Sequence, residues 1–164
     1  MHVATRSRLE LAAASFKRCP EMTTEPFVLH DAATVPRSVV DRLVAEALDN
    51  SSSFRGADRL RAAVPDVVHH APNGVIGSVG DDYVGVVLWT IDHEELMIEV
   101  LYVAPTVRGL GLGETLVQRA VDAARASGCR SVAGRALPGD RETKNVYERT
   151  GLVSQVITVG KALD

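Results

Sequence analysis

Apolar positions change their spacing several times along the chain, and each change predicts a new element. Phe27-Val28-Leu29-His30 reads as a short first strand. Pro36 then opens a helix whose apolar residues Val39, Val40, Leu43, Val44, Ala47 and Leu48 recur at helical period, and Asn50-Ser-Ser-Ser53 stops it. The stretch up to Asn73 is less regular: Arg59 to Val64 fits a short helix, with Pro65 and Pro72 as breakers after it. From Gly74 the pattern is that of strands. Val75 to Val79 and Tyr83 to Ile91 flank the turn Gly80-Asp81-Asp82, and Leu96 to Val103 follows the polar turn Asp92-His93-Glu94-Glu95. Connections this short demand an antiparallel meander. Its middle run is apolar on both sides, with Tyr83, Val87 and Trp89 set against Val84, Val86 and Leu88, so it is expected at the centre, covered by helices.

Past Pro105 the period returns to 3.6 residues. Leu112, Leu116, Val117, Ala120, Val121 and Ala124 form one stripe, closed by Ser127-Gly128. Ser131 to Leu137 reads as a strand parallel to the previous one, because a helix-length crossover separates them. Pro138-Gly139 turns the chain into a helix from Asp140 to Thr150, Gly151 stops it, and Leu152 to Val159 reads as a last strand. The fold class is therefore α/β, a mixed and mostly antiparallel sheet flanked by helices on both faces.

Composition narrows the functional classes. The 164 residues fit one domain, with 46% apolar and 24% charged residues and no internal repeat. Residues 1–21 read as an N-terminal extension, rich in alanine, serine and basic residues, and residues 22–164 as the single domain. A net charge of −3 provides no basic field for nucleic acid, and no apolar run approaches the ~20 residues of a membrane helix. The cysteines Cys19 and Cys129 lack any metal-ligand spacing, and their usage suits a reducing, cytoplasmic location. His69-His70 lacks further ligands, so no metal is expected.

The candidate chemistry lies in Arg108-Gly109-Leu110-Gly111-Leu112-Gly113-Glu114, between a strand end and a helix start. The first turn of a helix leaves its N–H groups unpaired, and the helix dipole favours negative charge there. Glycines let a phosphate approach the backbone, and Arg108 adds positive charge beside it. A phosphate-binding loop of the Gly-Lys-Ser/Thr type is excluded, because Gly113-Glu114-Thr115 has a carboxylate in the lysine position. A dinucleotide fingerprint lacks its third glycine, and the preceding strand closes a meander instead of opening a parallel pair.

Arg108-x-x-Gly111-x-Gly113 resembles the Arg/Gln-x-x-Gly-x-Gly/Ala motif of the GNAT family of N-acetyltransferases, preceded by a similar strand end, Leu101-Tyr102-Val103-Ala104-Pro105. Downstream, Tyr147-Glu148-Arg149-Thr150-Gly151-Leu152 resembles the family's Tyr-Glu-x-x-Gly-Phe segment, with leucine in place of phenylalanine. The resemblance covers roughly residues 96–159. It implies an acetyl-CoA-dependent transferase acting on a primary amine of a small molecule or a protein. A non-catalytic acyl-CoA-binding domain on the same fold is the alternative.

The resemblance also implies roles. The loop from Arg108 through Gly109, Leu110, Gly111, Leu112 and Gly113 to Glu114 binds the coenzyme A pyrophosphate, and the backbone of Leu101, Tyr102 and Val103 pairs with the pantetheine arm. N–H groups at Val103 and its neighbours stabilise the oxyanion, and Tyr147 donates a proton to the departing thiolate. Many members carry asparagine seven residues before this tyrosine, in contact with the cofactor; Asp140 stands there, and an acid suits a phosphate-bearing ligand less well. Glu99 is the one charged residue inside its apolar strand. By period two it shares a face with Leu101 and Val103, which makes it the candidate general base, or else the partner of an arginine such as Arg135. Asp92, Glu94 and Glu95, at the far strand end, are placed to attract a cationic amine. Thirteen residues follow Gly151, too few for the C-terminal hairpin that walls the acceptor side in many members. That side is expected to be open or completed by a partner chain, as in a homodimer.

Overall fold

The computed structural model describes residues 26–69 and 73–155. In chain order the elements are β1 (Val28–Asp31), α1 (Arg37–Ser51), α2 (Ala57–His69), β2 (Asn73–Val79), β3 (Asp82–Asp92), β4 (Glu95–Val103), a 3-10 turn (Pro105–Val107), α3 (Leu112–Ala126), β5 (Ser131–Gly134) and α4 (Arg141–Arg149). The strands lie side by side in sequence order; β1 to β4 pair antiparallel and β4 with β5 parallel, the mixed sheet the pattern predicts.

Helices cover both faces. Val40, Leu43 and Val44 of α1 and Val64 of α2 pack on Ile76, Val86, Leu88, Val100 and Tyr102. On the other face Leu112, Leu116, Val117, Ala120 and Ala124 of α3 and Tyr147 of α4 pack on Val87, Trp89, Leu96 and Ile98. Leu112 seats α3 on the sheet: a Cβ on Gly77 would come within 2.6 Å of its side chain, and one on Gly85 within 2.9 Å. Those two glycines leave the space that fixes where α3 begins, and hence where the loop before it sits.

Several expectations change. The helix α2 runs on across Pro65 to His69. The strand β5 ends at Gly134 instead of Leu137. Leu152–Gln155 are in no strand, and Val153 is 68% exposed, so the alternation there buries no face; 156–159 lie outside the described residues, as does the 1–21 extension.

Two bulges overturn the simple period-two reading of the faces. Ser78 pairs with Tyr83 and Gly77 with Gly85, leaving Val84 as the extra residue. Tyr83 therefore packs with Val86 and Leu88 on the α1 face, not with Val87 and Trp89. On β4, Leu88 pairs with Val100 and Trp89 with Ile98, so Glu99 is the extra residue. Leu96 and Ile98, before it, face α3, whereas Val100 and Tyr102, after it, face α1. The parallel pairing of β4 with β5 ends at Ile98–Gly134, next to that bulge, and β4 continues to Val103 without a partner on that side among the described residues.

No helix among the described residues is long and apolar enough to cross a membrane.

Candidate active site

The loop before α3 is built to present amides. Gly109 and Gly111 adopt φ of 82° and 85°, the left-handed region that glycine enters without a Cβ penalty, and Gly111 caps α3 in this conformation. The first amide of α3 to be paired is that of Thr115, which donates to Gly111 O at 3.0 Å. Among the described residues, the amides from Gly109 to Glu114 find no protein acceptor. A Cβ on Gly109 or Gly111 would meet no atom of the described residues within 4 Å, so among these residues the space in front of both is open. Gly113 serves a different purpose: its Cβ would lie 3.2 Å from Val146, so it lets α3 and α4 approach each other. These residues fit a diphosphate. The Glu114 carboxylate points elsewhere, to Arg149 at 2.9 Å, and so does not oppose an anion at the amides.

The free edge of β4 adjoins this loop. Ala104 N donates to Val84 O at 2.8 Å, so Ala104 turns its backbone groups toward β3. Alternation then turns those of Leu101 and Val103 to the opposite edge, where β5 has already ended. Tyr102 is the exception to the expected trio. Its backbone faces Val86 on β3, and its side chain lies in the α1 core, where burial and the neighbouring Glu46 carboxylate push the hydroxyl above its ordinary pKa. Leu101 and Val103 therefore remain the candidates for pairing with an extended ligand.

Arg108 crosses the top of this edge. Its Nε donates to Val103 O at 3.1 Å, Nη2 to Asn50 Oδ1 at 3.0 Å, and Nη1 pairs with Glu142 Oε2 at 2.5 Å. One guanidinium thus ties the end of β4 to α1 and to the first turn of α4. Asn50, read from sequence as a helix stop, and Glu142, not singled out at all, are its partners. Asn50 lies 58 residues from Arg108, a contact that no local pattern announces.

At the point where β4 and β5 part stands Tyr147. It is 6% exposed and packs against Gly134. Burial first, then the carboxylates of Asp140 and Glu99, push its pKa well above the ordinary value of 10.0. The phenol therefore keeps its proton throughout the neutral range. Asp140 has a structural role, because its Oδ1 accepts from Thr143 N at 3.0 Å and caps α4. Its Oδ1 is thus engaged as a helix cap.

Glu99 does not share a face with Leu101 and Val103. The bulge turns it toward Thr90, whose hydroxyl donates to Oε1 at 3.1 Å, and Arg135 pairs with Oε2. Its side chain is 10% exposed, so the carboxylate is enclosed but not alone. At the far hairpin the acidic cluster is largely engaged: Glu94 pairs with Arg130 at 3.0 Å, and Glu95 accepts from Ser131 at 3.0 Å.

The model of the acetyltransferase (GNAT) family matches residues 41–152, most of the chain, from within α1 to the end of α4. The chain belongs to the acetyltransferase (GNAT) family. It is accordingly an acetyltransferase, of a family that uses coenzyme A thioesters. No curated protein sequence matches it. Among solved structures, a GNAT-like fold is shared with a putative acetyl transferase from Pyrococcus furiosus, at a TM-score of 0.65 and 16% identity over 84% of this chain and 99% of the other. Glucosamine-6-phosphate N-acetyltransferase from Arabidopsis thaliana superimposes at 0.59, with 16% identity over 84% and 99% of the two chains. The aminoglycoside N-acetyltransferase AAC(6')-Iy, in complex with CoA, superimposes at 0.61, with 15% identity over 84% and 95%. At these identities the likeness is one of fold, and the acceptor of this GNAT protein has to be sought in its own residues.

Proposed function

We propose that the protein transfers an acetyl group from acetyl-CoA to a primary amine by direct attack. The observation that carries this reading is the run of open amides from Gly109 to Glu114 beside the unpartnered edge of β4, with Tyr147 where β4 and β5 separate. The loop amides hold the diphosphate, and the backbone of Leu101 and Val103 holds the pantetheine arm. The bound thioester supplies an electrophilic carbonyl.

The chain's own residues then divide the work. The edge N–H of Val103 is a donor for the carbonyl oxygen as negative charge develops on it. Glu99, directly or through a water, takes the proton of the attacking amine, and Arg135 and Thr90 hold its carboxylate in place. As the N–C bond forms and the C–S bond breaks, the Tyr147 hydroxyl donates to the departing sulfur. An unperturbed thiol has a pKa of about 8.5, below that of this tyrosine, so the hydroxyl contributes chiefly as a hydrogen-bond donor to the thiolate.

Release of free coenzyme A thiol on addition of an amine panel tests this reading. Release that depends on a primary amine and yields its acetamide supports it. Tight acetyl-CoA binding with no turnover on any amine would instead assign a non-catalytic acyl-CoA-binding role.

A further inference from the structure

The arginine that marks the loop in the sequence is already committed within the chain. All three nitrogens of the Arg108 guanidinium have protein partners: Val103 O, Asn50 Oδ1 and Glu142 Oε2. These partners differ in kind. Val103 O and Asn50 are neutral. Glu142 is a full negative charge on the first turn of α4, and its side chain is 66% exposed against 29% for Arg108. An exposed carboxylate gains solvation and rotamer freedom on leaving such a pair, so the pair is worth little and is easily exchanged. The neutral partners, in contrast, keep the guanidinium where it is.

We propose that Glu142 sets the affinity of the loop for its acyl donor, as an internal carboxylate that competes with the diphosphate for Nη1 of Arg108. The inference rests on the acyl-donor reading of the loop. A diphosphate at the Gly109–Glu114 amides, near Arg108, meets Glu142 in two ways. It must take over the donor that Glu142 holds, and it is repelled by the carboxylate as long as that side chain stays close. Both effects weaken binding. Asn50 and Val103 O retain Nη2 and Nε through the exchange, so the arginine does not have to move to change partners. Glu142 is thus a built-in brake on donor retention, with a further structural role in the first turn of α4, where a carboxylate complements the helix dipole.

Calorimetric titration of the full chain with acetyl-CoA tests this, at low salt and again at high NaCl. Glu142→Gln is expected to bind roughly three- to tenfold more tightly at low salt, the range of an exposed ion pair and its field, and the gain should shrink as salt screens it. Glu148→Gln is the charge control, since Glu148 lies on the same helix but pairs with Lys144; it should leave affinity unchanged. In an Arg108→Gln background most of the gain from Glu142→Gln should vanish, because the contested donor is gone. Equal or weaker binding by a folded Glu142→Gln protein, an equal gain in Glu148→Gln, or a gain that persists in full without Arg108 would each overturn the inference, with the acyl-donor reading intact. Failure of the wild-type protein to bind acetyl-CoA would overturn both.

Discussion

Tyr147 lies so close to Gly134 that a Cβ there would come within 2.7 Å of its Cζ and 2.9 Å of its hydroxyl oxygen. The last residue of β5 thus sets the position of the candidate proton donor. Gly134→Ala is expected to push the ring from its seat, at a cost of about 1–3 kcal/mol typical of overpacking. Turnover should fall further than acetyl-CoA affinity. Urea denaturation together with kcat measurements checks this, and an alanine variant with wild-type stability and kcat would show that the ring has another place to go.

Tyr147→Phe keeps the packing and removes the donor. Because the phenol gives up its proton reluctantly, the loss in kcat is expected near the lower end of the ~10²–10⁴-fold range for acid–base groups. Stability supplies a second readout. A tyrosine with a pKa raised by folding contributes stability that is complete below its ordinary value of about 10 and lost as pH rises above it, since the unfolded chain ionises first. Stability of the wild type should therefore decline in alkali, and that of Tyr147→Phe less steeply. Parallel declines in melting temperature above pH 10 would contradict the burial of this hydroxyl.

The loop prediction separates backbone conformation from access. Gly111 has φ of 85° with open space where a Cβ would be, so a side chain there strains the turn without striking the protein. Asparagine tolerates this region better than other residues. Gly111→Asn should consequently remain folded but lose acetyl-CoA affinity by roughly tenfold or more, as its Cβ stands between ligand and amides. Unchanged affinity would locate the diphosphate elsewhere.

Removing either member of the Glu99–Arg135 pair should have different consequences. Arg135→Met leaves a carboxylate that is 10% exposed with Thr90 as its remaining described partner, at a cost of about 1–3 kcal/mol. Glu99→Gln keeps an acceptor for Thr90 and should cost less stability. Its kcat/KM should be depressed most at neutral pH and recover as pH rises and more of the amine is uncharged. A ratio to wild type that stays constant across pH would assign proton removal to another group.

What could be read in the sequence is what depends on local pattern. The meander, the crossover helix and the amide-presenting loop follow from the periods around Val75–Val103 and Leu112–Ala124 and from the glycines at 109 and 111, each a matter of neighbouring residues. What could not be read depends on residues far apart. Asn50 and Glu142 meet only through Arg108, Gly134 matters only because Tyr147 lies on it, and Gly113 is explained by Val146. The face assigned to Glu99 was wrong because a bulge leaves no mark in an alternating strand. Its pairing with Arg135 is present in the structure and is compatible with the base role proposed for it.

The bulge has a consequence for how this strand tolerates change in length. Ahead of Glu99 the even-numbered residues Leu96 and Ile98 face α3, and beyond it the even-numbered Val100 and Tyr102 face α1. Deleting Glu99 would join Ile98 directly to Val100, which already pair with the adjacent residues Trp89 and Leu88, so Val100 and Tyr102 would stay in one core and Leu101 and Val103 in the other. A deletion at this point removes one side chain and the bend, whereas a deletion further along β4, with the bulge kept, reverses the faces of everything from there to the loop before α3. The bulge is thus the one place where β4 can shorten without moving the residues that lead into that loop.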